Sequence, residues 1–329
     1  MKILLTGATG FLGYRTLEKL ILLPEVEEII ATGRTLLDYR KIEHQKVTYK
    51  IGHLEDVLFV NEITKGVDVI INTASLSSPW GKRSDFVQAN LKTQENLIKA
   101  AKENKVSRFI YISSPSIYYN GKSRLNVKEN EKLPSKFVNE YARTKFEAEI
   151  LLKNSGIPFI TLRPRALIGR GDSIIMPRLI NAFDQGRLKI IGDGKNLVDL
   201  TCVSNVVDAI ALSIFSNSNS INQTYNITNG EPVNLWNKID YVLSELNKKL
   251  NKRKIPFFIV NRVAAIMELK SRLTNHKEPT LTSYGVGTLA KSFTLDISKA
   301  EKLLNYHPKM NTHDGIIEFI NWYRIHEKN

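Results

Sequence analysis

The sequence predicts an α/β fold, a doubly wound parallel sheet with helices on both faces. In the first half of the chain, near-continuous apolar runs alternate with amphipathic segments of helical periodicity. Runs this apolar are typical of strands in a parallel sheet that is covered on both faces. Their regular alternation with helices favours right-handed crossovers. The second half is less regular, with proline and glycine frequent over 164–194, and predicts a smaller, mostly helical region.

The individual elements follow from the same periodicities. Strands are predicted over residues 2–6, 28–32, 47–51, 67–72, 108–113 and 157–162. Helices are predicted over residues 11–22, 84–104, 141–153, 204–216 and 233–250. Residues 255–269 are apolar except at Asn261 and Arg262. We interpret this segment as a helix that walls a pocket, with an interfacial membrane contact as the alternative.

Composition narrows the classes of protein that the chain can belong to. Its 329 residues suit one large domain or two that share a site, and no apolar window is long enough to span a membrane. The single cysteine, Cys202, excludes an intramolecular disulfide and fits a cytoplasmic protein. The net charge of +14 is dispersed rather than clustered, so we expect it to attract an anionic small molecule and not a nucleic acid.

A glycine-rich turn, TGATGFLG, lies between the first strand and the first helix. Glycine suits a tight turn that a pyrophosphate must approach closely, and the free amides of a helix start favour the anion. The turn therefore predicts a Rossmann-type dinucleotide site. Its expected contacts are Gly7, Thr9, Gly10, Phe11, Leu12 and Gly13.

The end of the second strand should select the cofactor. An acidic residue there accepts from the ribose 2′-hydroxyl of NAD, but here the chain reads Ala31-Thr32-Gly33-Arg34. Arg34 can pair with a 2′-phosphate, which favours NADP over NAD. The alternative is that Arg34 stacks on the adenine while Asp38 reaches the ribose.

Three polar side chains are expected to meet at the carboxyl edge of the sheet. Tyr141 and Lys145 stand four residues apart on one helix face, so both can reach the same pocket. Ser113, Ser114 and Ser116 follow the fifth strand, and ligands of open α/β sheets bind at such strand ends.

These motifs resemble those of the extended short-chain dehydrogenases/reductases, the superfamily that also contains sugar epimerases and dehydratases. The resemblance covers nearly the whole chain. It rests on the glycine turn, Asn72-Thr73-Ala74-Ser75, YISSPSIYY over 111–119, the Tyr141–Lys145 pair and Arg163-Pro164. The segments SSPWG at 77–81, RPRALIGRGD at 163–172 and TNGEP at 228–232 resemble the 3β-hydroxysteroid dehydrogenase-like branch, which includes reductases of 2-alkyl-3-oxoalkanoates.

The resemblance implies a role for each residue of the site. Tyr141 would protonate a carbonyl oxygen as hydride arrives, or act as the base in the reverse direction. Lys145 would bond the nicotinamide ribose, and its charge would lower the pKa of Tyr141. Ser114 would donate to the substrate oxygen, with Ser113 and Ser116 as alternates. Further cofactor contacts are expected from Thr73, Ala74, Ser75 and Pro164.

Two departures from the family pattern bear on the ligands. The adenine segment reads Gly52-His53-Leu54 instead of carrying an acid, so His53 and Leu54 are expected there, and Asp56 could compensate. His53 could also be an ordinary loop residue. Nucleotide-sugar members commonly carry an arginine where this chain has Val198, which cannot bind a phosphate.

The pocket must come largely from the second half of the chain. Ser116, Trp80 and Arg165 are candidate substrate contacts. Trp80 could instead pack within the protein. Arg165 could meet a substrate carboxylate, or it could form a salt bridge within the protein. Trp236 is expected to pack. No His, Cys or carboxylate cluster has metal-ligand spacing.

We therefore expect an NAD(P)-dependent oxidoreductase that interconverts a ketone and a secondary alcohol on an apolar or amphipathic small molecule. The alternatives are a nucleotide-sugar epimerase or dehydratase with tightly bound NAD, and a non-catalytic dinucleotide-binding regulator. The dinucleotide-binding domain is predicted over 1–165, with returning segments 195–228 and 295–329. The substrate-binding region is predicted over 166–194 and 229–294. The resemblance also leaves a homodimer open.

Overall fold

A computed structural model describes residues 1–274 and 276–326. The strands are β1 (Lys2–Thr6), β2 (Glu28–Gly33), β3 (Val47–Ile51), β4 (Val69–Asn72), β5 (Arg108–Ile112), β6 (Arg124–Val127), β7 (Phe159–Pro164), β8 (Leu167–Ile168), β9 (Ile190–Ile191), β10 (Leu197–Val198), β11 (Thr201–Cys202), β12 (Gln223–Ile227), β13 (Val233–Asn234), β14 (Lys254–Ile255) and β15 (Phe293–Leu295). The helices are α1 (Phe11–Leu20), α2 (Val57–Thr64), α3 (Arg83–Phe86), α4 (Thr93–Glu103), α5 (Glu140–Lys153), α6 (Ile175–Asp184), α7 (Val203–Phe215), α8 (Leu235–Glu245), α9 (Phe257–Leu273), α10 (Ser283–Ala290), α11 (Ser298–Leu304) and α12 (Thr312–His326).

Seven parallel strands form the central sheet, in the order β12-β7-β5-β4-β1-β2-β3. The order reverses between β1 and β4, which places a crevice at the carboxyl edge of these two strands. Apolar side chains cover both faces of the sheet: one cluster packs against α1 and α7, the other against α2 and α4. Because both faces are covered, the strands read as near-continuous apolar runs, and the predicted fold class is confirmed.

Several elements differ from the predicted ones. Helix α2 was not predicted; Asp56 caps it by accepting from the amides of Leu58 and Phe59, at 2.9 and 3.3 Å. The helix predicted over 84–104 is interrupted by a π-helical turn at Val87–Lys92. The helix predicted over 233–250 ends at Glu245, and the segment 255–269 forms α9, which runs on to Leu273.

The second half of the chain adds smaller sheets to one end of the molecule. Four strands pair in the order β13-β10-β15-β6, and two short pairs, β11-β8 and β14-β9, complete them. β12 comes from the predicted returning segment and pairs with β7 in the central sheet. The division into two regions remains a prediction. Within residues 1–274 and 276–326, none of the helices could cross a bilayer.

Candidate active site

The glycine turn joins β1 to α1 in a form that fits a pyrophosphate. Gly7 has φ +70°, and a Cβ there would lie 2.7 Å from the amide nitrogen of Ala74. A Cβ on Gly13 would lie 2.0 Å from the carbonyl oxygen of Gly7. Gly10 caps α1 without a side-chain hydrogen bond, and its first turn holds no acid. The amides of Phe11 and Leu12 therefore remain free to bind an anion.

The end of β2 presents two arginines beside this turn. Arg34 is exposed, as is Asp38. Arg40 donates from Nη1 to the carbonyl oxygen of Thr9 at 2.9 Å. A Cβ on Gly33 would lie 2.3 Å from Oγ1 of Thr9, so a larger residue there would have to displace Thr9. Arg40 is a residue that sequence reasoning missed, although its position six residues after Arg34 was visible.

The segment expected at the adenine is partly exposed. The His53 side chain is 70% exposed, with Nδ1 3.9 Å from a carboxylate oxygen of Glu55. Leu54 is buried, and its carbonyl oxygen accepts from Nδ2 of Asn96 at 3.0 Å. Asp56 caps α2 through its Oδ1, and its role in compensating for the missing acid stays a prediction.

The loop after β4 is fixed by its own polar side chains. Thr73 donates from Oγ1 to the carbonyl oxygen of Thr6 at 2.7 Å, and the amide of Ala74 donates to Oδ1 of Asn72 at 3.1 Å. Ser75 donates to Oδ1 of Asn90 at 3.2 Å. These contacts hold the loop at the crevice beside the glycine turn.

Asn90, in the π-helical turn, connects this loop to α5. It is buried, and its Oδ1 accepts from the amide of Leu76 at 2.8 Å. Its Nδ2 donates to Oγ1 of Thr144 at 3.1 Å, between Tyr141 and Lys145 on α5. Sequence reasoning missed Asn90, because a π-helical turn leaves no pattern that distinguishes it from a regular helix.

Tyr141 lies in the first turn of α5, against two serines. Asn139 caps the helix by accepting from the amide of Ala142 at 2.9 Å. Burial raises the pKa of Tyr141, while hydrogen bonding to Ser114 and Ser77 lowers it. Ser77 comes from the loop after β4 and was missed in the sequence, where it was noted only as part of SSPWG.

The serines after β5 have different surroundings. The Ser114 hydroxyl donates to Oγ of Ser116 at 2.9 Å and accepts from the amide of Ser116 at 3.2 Å. The hydroxyl of Ser113 is buried and has no hydrogen-bond partner among the residues that the structure describes. Of the three serines, Ser114 is the one that is hydrogen-bonded to Tyr141, and Ser116 is hydrogen-bonded to Ser114 in turn.

Lys145 points from the same helix face into the sheet. Its Nζ donates to the carbonyl oxygen of Ile112 and lies 4.3 Å from the ring centroid of Tyr111. Burial lowers the pKa of Lys145 to about 7, although the charge of Glu149 raises it. We expected Lys145 to lower the pKa of Tyr141; instead burial outweighs the lowering, which comes from the serines.

Aromatic residues and an arginine lie on the other side of Tyr141. Tyr284, on α10, raises the pKa of Tyr141 and packs edge-on against Tyr119, with ring centroids 5.3 Å apart. The guanidinium carbon of Arg165 lies 4.6 Å from the ring centroid of Phe293, and its buried Nε has no hydrogen-bond partner within residues 1–274 and 276–326.

Arg165 also acts on a buried carboxyl group. Burial raises the pKa of Asp199 to about 6, while Arg165 and the amide of Leu295 lower it. The carboxylate accepts from that amide at 2.7 Å. We considered a salt bridge as the alternative role of Arg165; the structure gives it an electrostatic interaction with Asp199.

Three further predicted residues are held by contacts within the protein. The indole N–H of Trp80 donates to Oγ of Ser271 and to the carbonyl oxygen of His276, both at 3.1 Å. Trp236 is buried and donates to the carbonyl oxygen of Leu289 at 3.0 Å. Pro164 is buried at the end of β7. In residues 1–274 and 276–326, no cluster of three or more His, Cys, Asp or Glu side chains could hold a metal.

Comparison with known proteins defines the class. The model of the NAD dependent epimerase/dehydratase family matches residues 3–228, and the chain belongs to this family. YbjS of Escherichia coli is 32% identical over 100% of this chain and 99% of its own length. A 2-alkyl-3-oxoalkanoate reductase of Shewanella oneidensis is 27% identical over 94% and 83% of the two chains. Within the family, this chain is an NAD(P)-dependent oxidoreductase of the extended short-chain dehydrogenase/reductase type.

Further relatives and solved structures agree with this class. A 3β-hydroxysteroid-dehydrogenase/decarboxylase of Arabidopsis thaliana is 32% identical, covering 84% of this chain and 66% of its own. The dTDP-glucose 4,6-dehydratase DesIV of Streptomyces venezuelae, solved with NAD, superposes with a TM-score of 0.79 at 19% identity, over 100% and 98% of the two chains. At that identity, the similarity shows the fold.

Proposed function

We propose that this protein uses NADPH to reduce a ketone on an apolar or amphipathic carboxylic acid, such as a β-keto acid. The observation that carries the proposal is the meeting of Tyr141 with Ser114, Ser77 and Tyr284 at the carboxyl edge of the sheet; Tyr284 packs against Tyr119, which lies near Arg165. Two hydroxyl donors and one cation suit a carbonyl oxygen and a carboxylate on the same small molecule.

The raised pKa of Tyr141 supports reduction as the favoured direction at neutral pH. A phenol that keeps its proton can donate it to the carbonyl oxygen, whereas oxidation needs the phenolate. Ser114 donates a second hydrogen bond to the same oxygen and so stabilises the charge that develops there. Lys145 would hold the ribose of the dinucleotide, which when bound supplies the hydride.

The two arginines after β2 support NADP rather than NAD. Arg34 and Arg40 provide positive charge beside the turn, suited to a 2′-phosphate. An acidic side chain at Gly33 would collide with Thr9, so the carboxylate typical of NAD sites has no room there. The proposal also includes a cytoplasmic location and a homodimer.

The substrate class is supported by the second half of the chain. Val198 is buried in an apolar cluster, where a nucleotide-sugar enzyme commonly places a phosphate-binding arginine. The buried Nε of Arg165 makes no hydrogen bond to the described part of the chain, and the guanidinium can pair with a carboxylate. The relative from Shewanella oneidensis is named as a reductase of 2-alkyl-3-oxoalkanoates, which are acids of this kind.

NADPH oxidation in the presence of a panel of 2-alkyl-3-oxoalkanoates and simple ketones tests the proposal. We expect turnover of the acids, and Tyr141→Phe should lose most of it while retaining NADPH affinity. Arg165→Met should raise KM for the acids but leave simple ketones unaffected, with Arg178→Met as the exposed control. Equal NADPH and NADH affinities that do not change in Arg34→Ala would exclude the cofactor preference. Turnover of a UDP- or dTDP-sugar with retained NAD would instead favour the epimerase.

A further inference from the structure

The outer face of α9 is apolar and exposed, which is unusual for so long a helix. Its exposed apolar side chains are Phe258, Ile259, Val263, Ala265, Ile266, Leu269 and Leu273. Ile266 is 69% exposed and Leu273 is 77% exposed. At helical spacing these residues share one side, while the opposite side carries the buried Ala264 and Ser271.

Basic side chains lie within and beside this apolar face. Six Lys or Arg residues and one acid occur over 252–273. Arg262, Lys270 and Arg272 are exposed on α9, and Lys252 to Lys254 are exposed just before it. The acid, Glu268, is turned inward and accepts from the amide of Ser283 at 2.7 Å. The exposed face of α9 therefore combines apolar and basic groups without a carboxylate.

We propose that the outer face of α9 docks the enzyme on an anionic phospholipid surface, without spanning the membrane. A helix whose exposed side is apolar and also carries basic residues binds in the headgroup region, and long basic side chains reach back to the phosphates. Anionic lipids attract such basic residues.

A second copy of this chain fits the same face less well. A two-fold interface would place the same patch on both partners. The exposed basic residues of one copy would then face those of the other, without an exposed acid on α9 to offset them. Charge complementarity thus favours the lipid surface over self-association.

The docking face is connected to the candidate active site. Trp80 donates to Ser271 on α9 and lies under Arg272, whose guanidinium carbon is 5.3 Å from the ring centroid. Trp80 belongs to the loop that carries Ser77, which contacts Tyr141. The docking inference rests on the proposed function for its purpose, since an amphipathic acid would be taken from the lipid at this wall of the pocket.

Vesicle sedimentation of the full chain tests the inference. Vesicles of phosphatidylcholine alone are compared with vesicles that contain equal amounts of phosphatidylcholine and phosphatidylglycerol, at low and high salt. We expect at least tenfold tighter binding to the anionic vesicles, weakened by salt. Ile266→Glu/Leu273→Glu should reduce that binding at least tenfold, and Arg262→Gln/Lys270→Gln should cost about fivefold per charge. Leu22→Glu, a change at a site 75% exposed elsewhere, is the matched control and should bind as the wild type does.

The outcomes separate docking from catalysis. Absence of binding to anionic vesicles, or equal binding by the Ile266→Glu/Leu273→Glu variant, would overturn the docking proposal. A concentration-dependent dimer that this variant abolishes, without vesicle binding, would assign the face to self-association instead. NADPH-dependent reduction of a short, water-soluble keto acid without vesicles should be unchanged in the variant. A wild type that binds vesicles but reduces none of the acids would refute the proposed function and leave docking intact.

Discussion

The amino group of Lys145 is buried and donates a hydrogen bond to the backbone carbonyl oxygen of Ile112. Glu149, the nearest carboxylate to influence it, is already paired with Arg163. We therefore expect Lys145→Met to stabilise the folded chain while it abolishes turnover, because methionine fills similar space without a charge to desolvate.

The size and pH dependence of this effect follow from the pKa of Lys145, which burial lowers from 10.5 to about 7. At ~1.4 kcal/mol per unit, protonated Lys145 costs the folded state roughly 3–5 kcal/mol relative to a fully exposed amine. The folded pKa is the lower one, so the unfolded chain binds the extra proton between these two values. The free energy of unfolding of the wild type should rise with pH in that range, by about 1.4 kcal/mol per unit, and be lowest below about pH 7.

Urea unfolding of both proteins at about pH 7 and about pH 9 measures the effect. The variant should be more stable at the lower pH, and its advantage should shrink by about 2–3 kcal/mol at the higher one. Lys153→Met, at the exposed end of the same helix, is the control; because it keeps Lys145, its pH profile should run parallel to that of the wild type. Parallel pH profiles for wild type and Lys145→Met would refute the reasoning, since Lys145 would then titrate alike in both states.

Two substitutions and one labelling experiment probe the fold further. Gly13→Ala should weaken NADPH binding at least a hundredfold by fluorescence titration, because its Cβ would press on the carbonyl oxygen of Gly7 at 2.0 Å; affinity within twofold of wild type would contradict this. Glu149→Gln should lower the free energy of unfolding by about 3–5 kcal/mol, since it leaves the buried guanidinium of Arg163 without its carboxylate. The thiol of Cys202 is buried and its pKa is raised to about 11, so iodoacetamide should label it only in denaturant; rapid labelling of the folded chain would show that it is accessible.

The sequence by itself determined the central sheet, the glycine turn and the family. Strand patterning is a local property, because strands covered on both faces must be apolar at nearly every position. The requirement for glycine at Gly7 and Gly13 is also local in origin, since a tight turn from strand to helix imposes it. The positions of Tyr141 and Lys145 followed from their spacing on one helix face.

Only the tertiary structure decided which side chains meet there. Ser77 and Asn90 reach α5 from the β4 side of the sheet, more than 50 residues earlier in the chain, at a distance that no sequence period encodes. The surroundings of Lys145 likewise depend on how β5 packs against it. We expected Lys145 to lower the pKa of Tyr141, but its own amine is buried and its own pKa is lowered. The segment 255–269 shows the same division: its apolar character was plain in the sequence, but which face of α9 meets the protein and which meets solvent depends on how the helix packs.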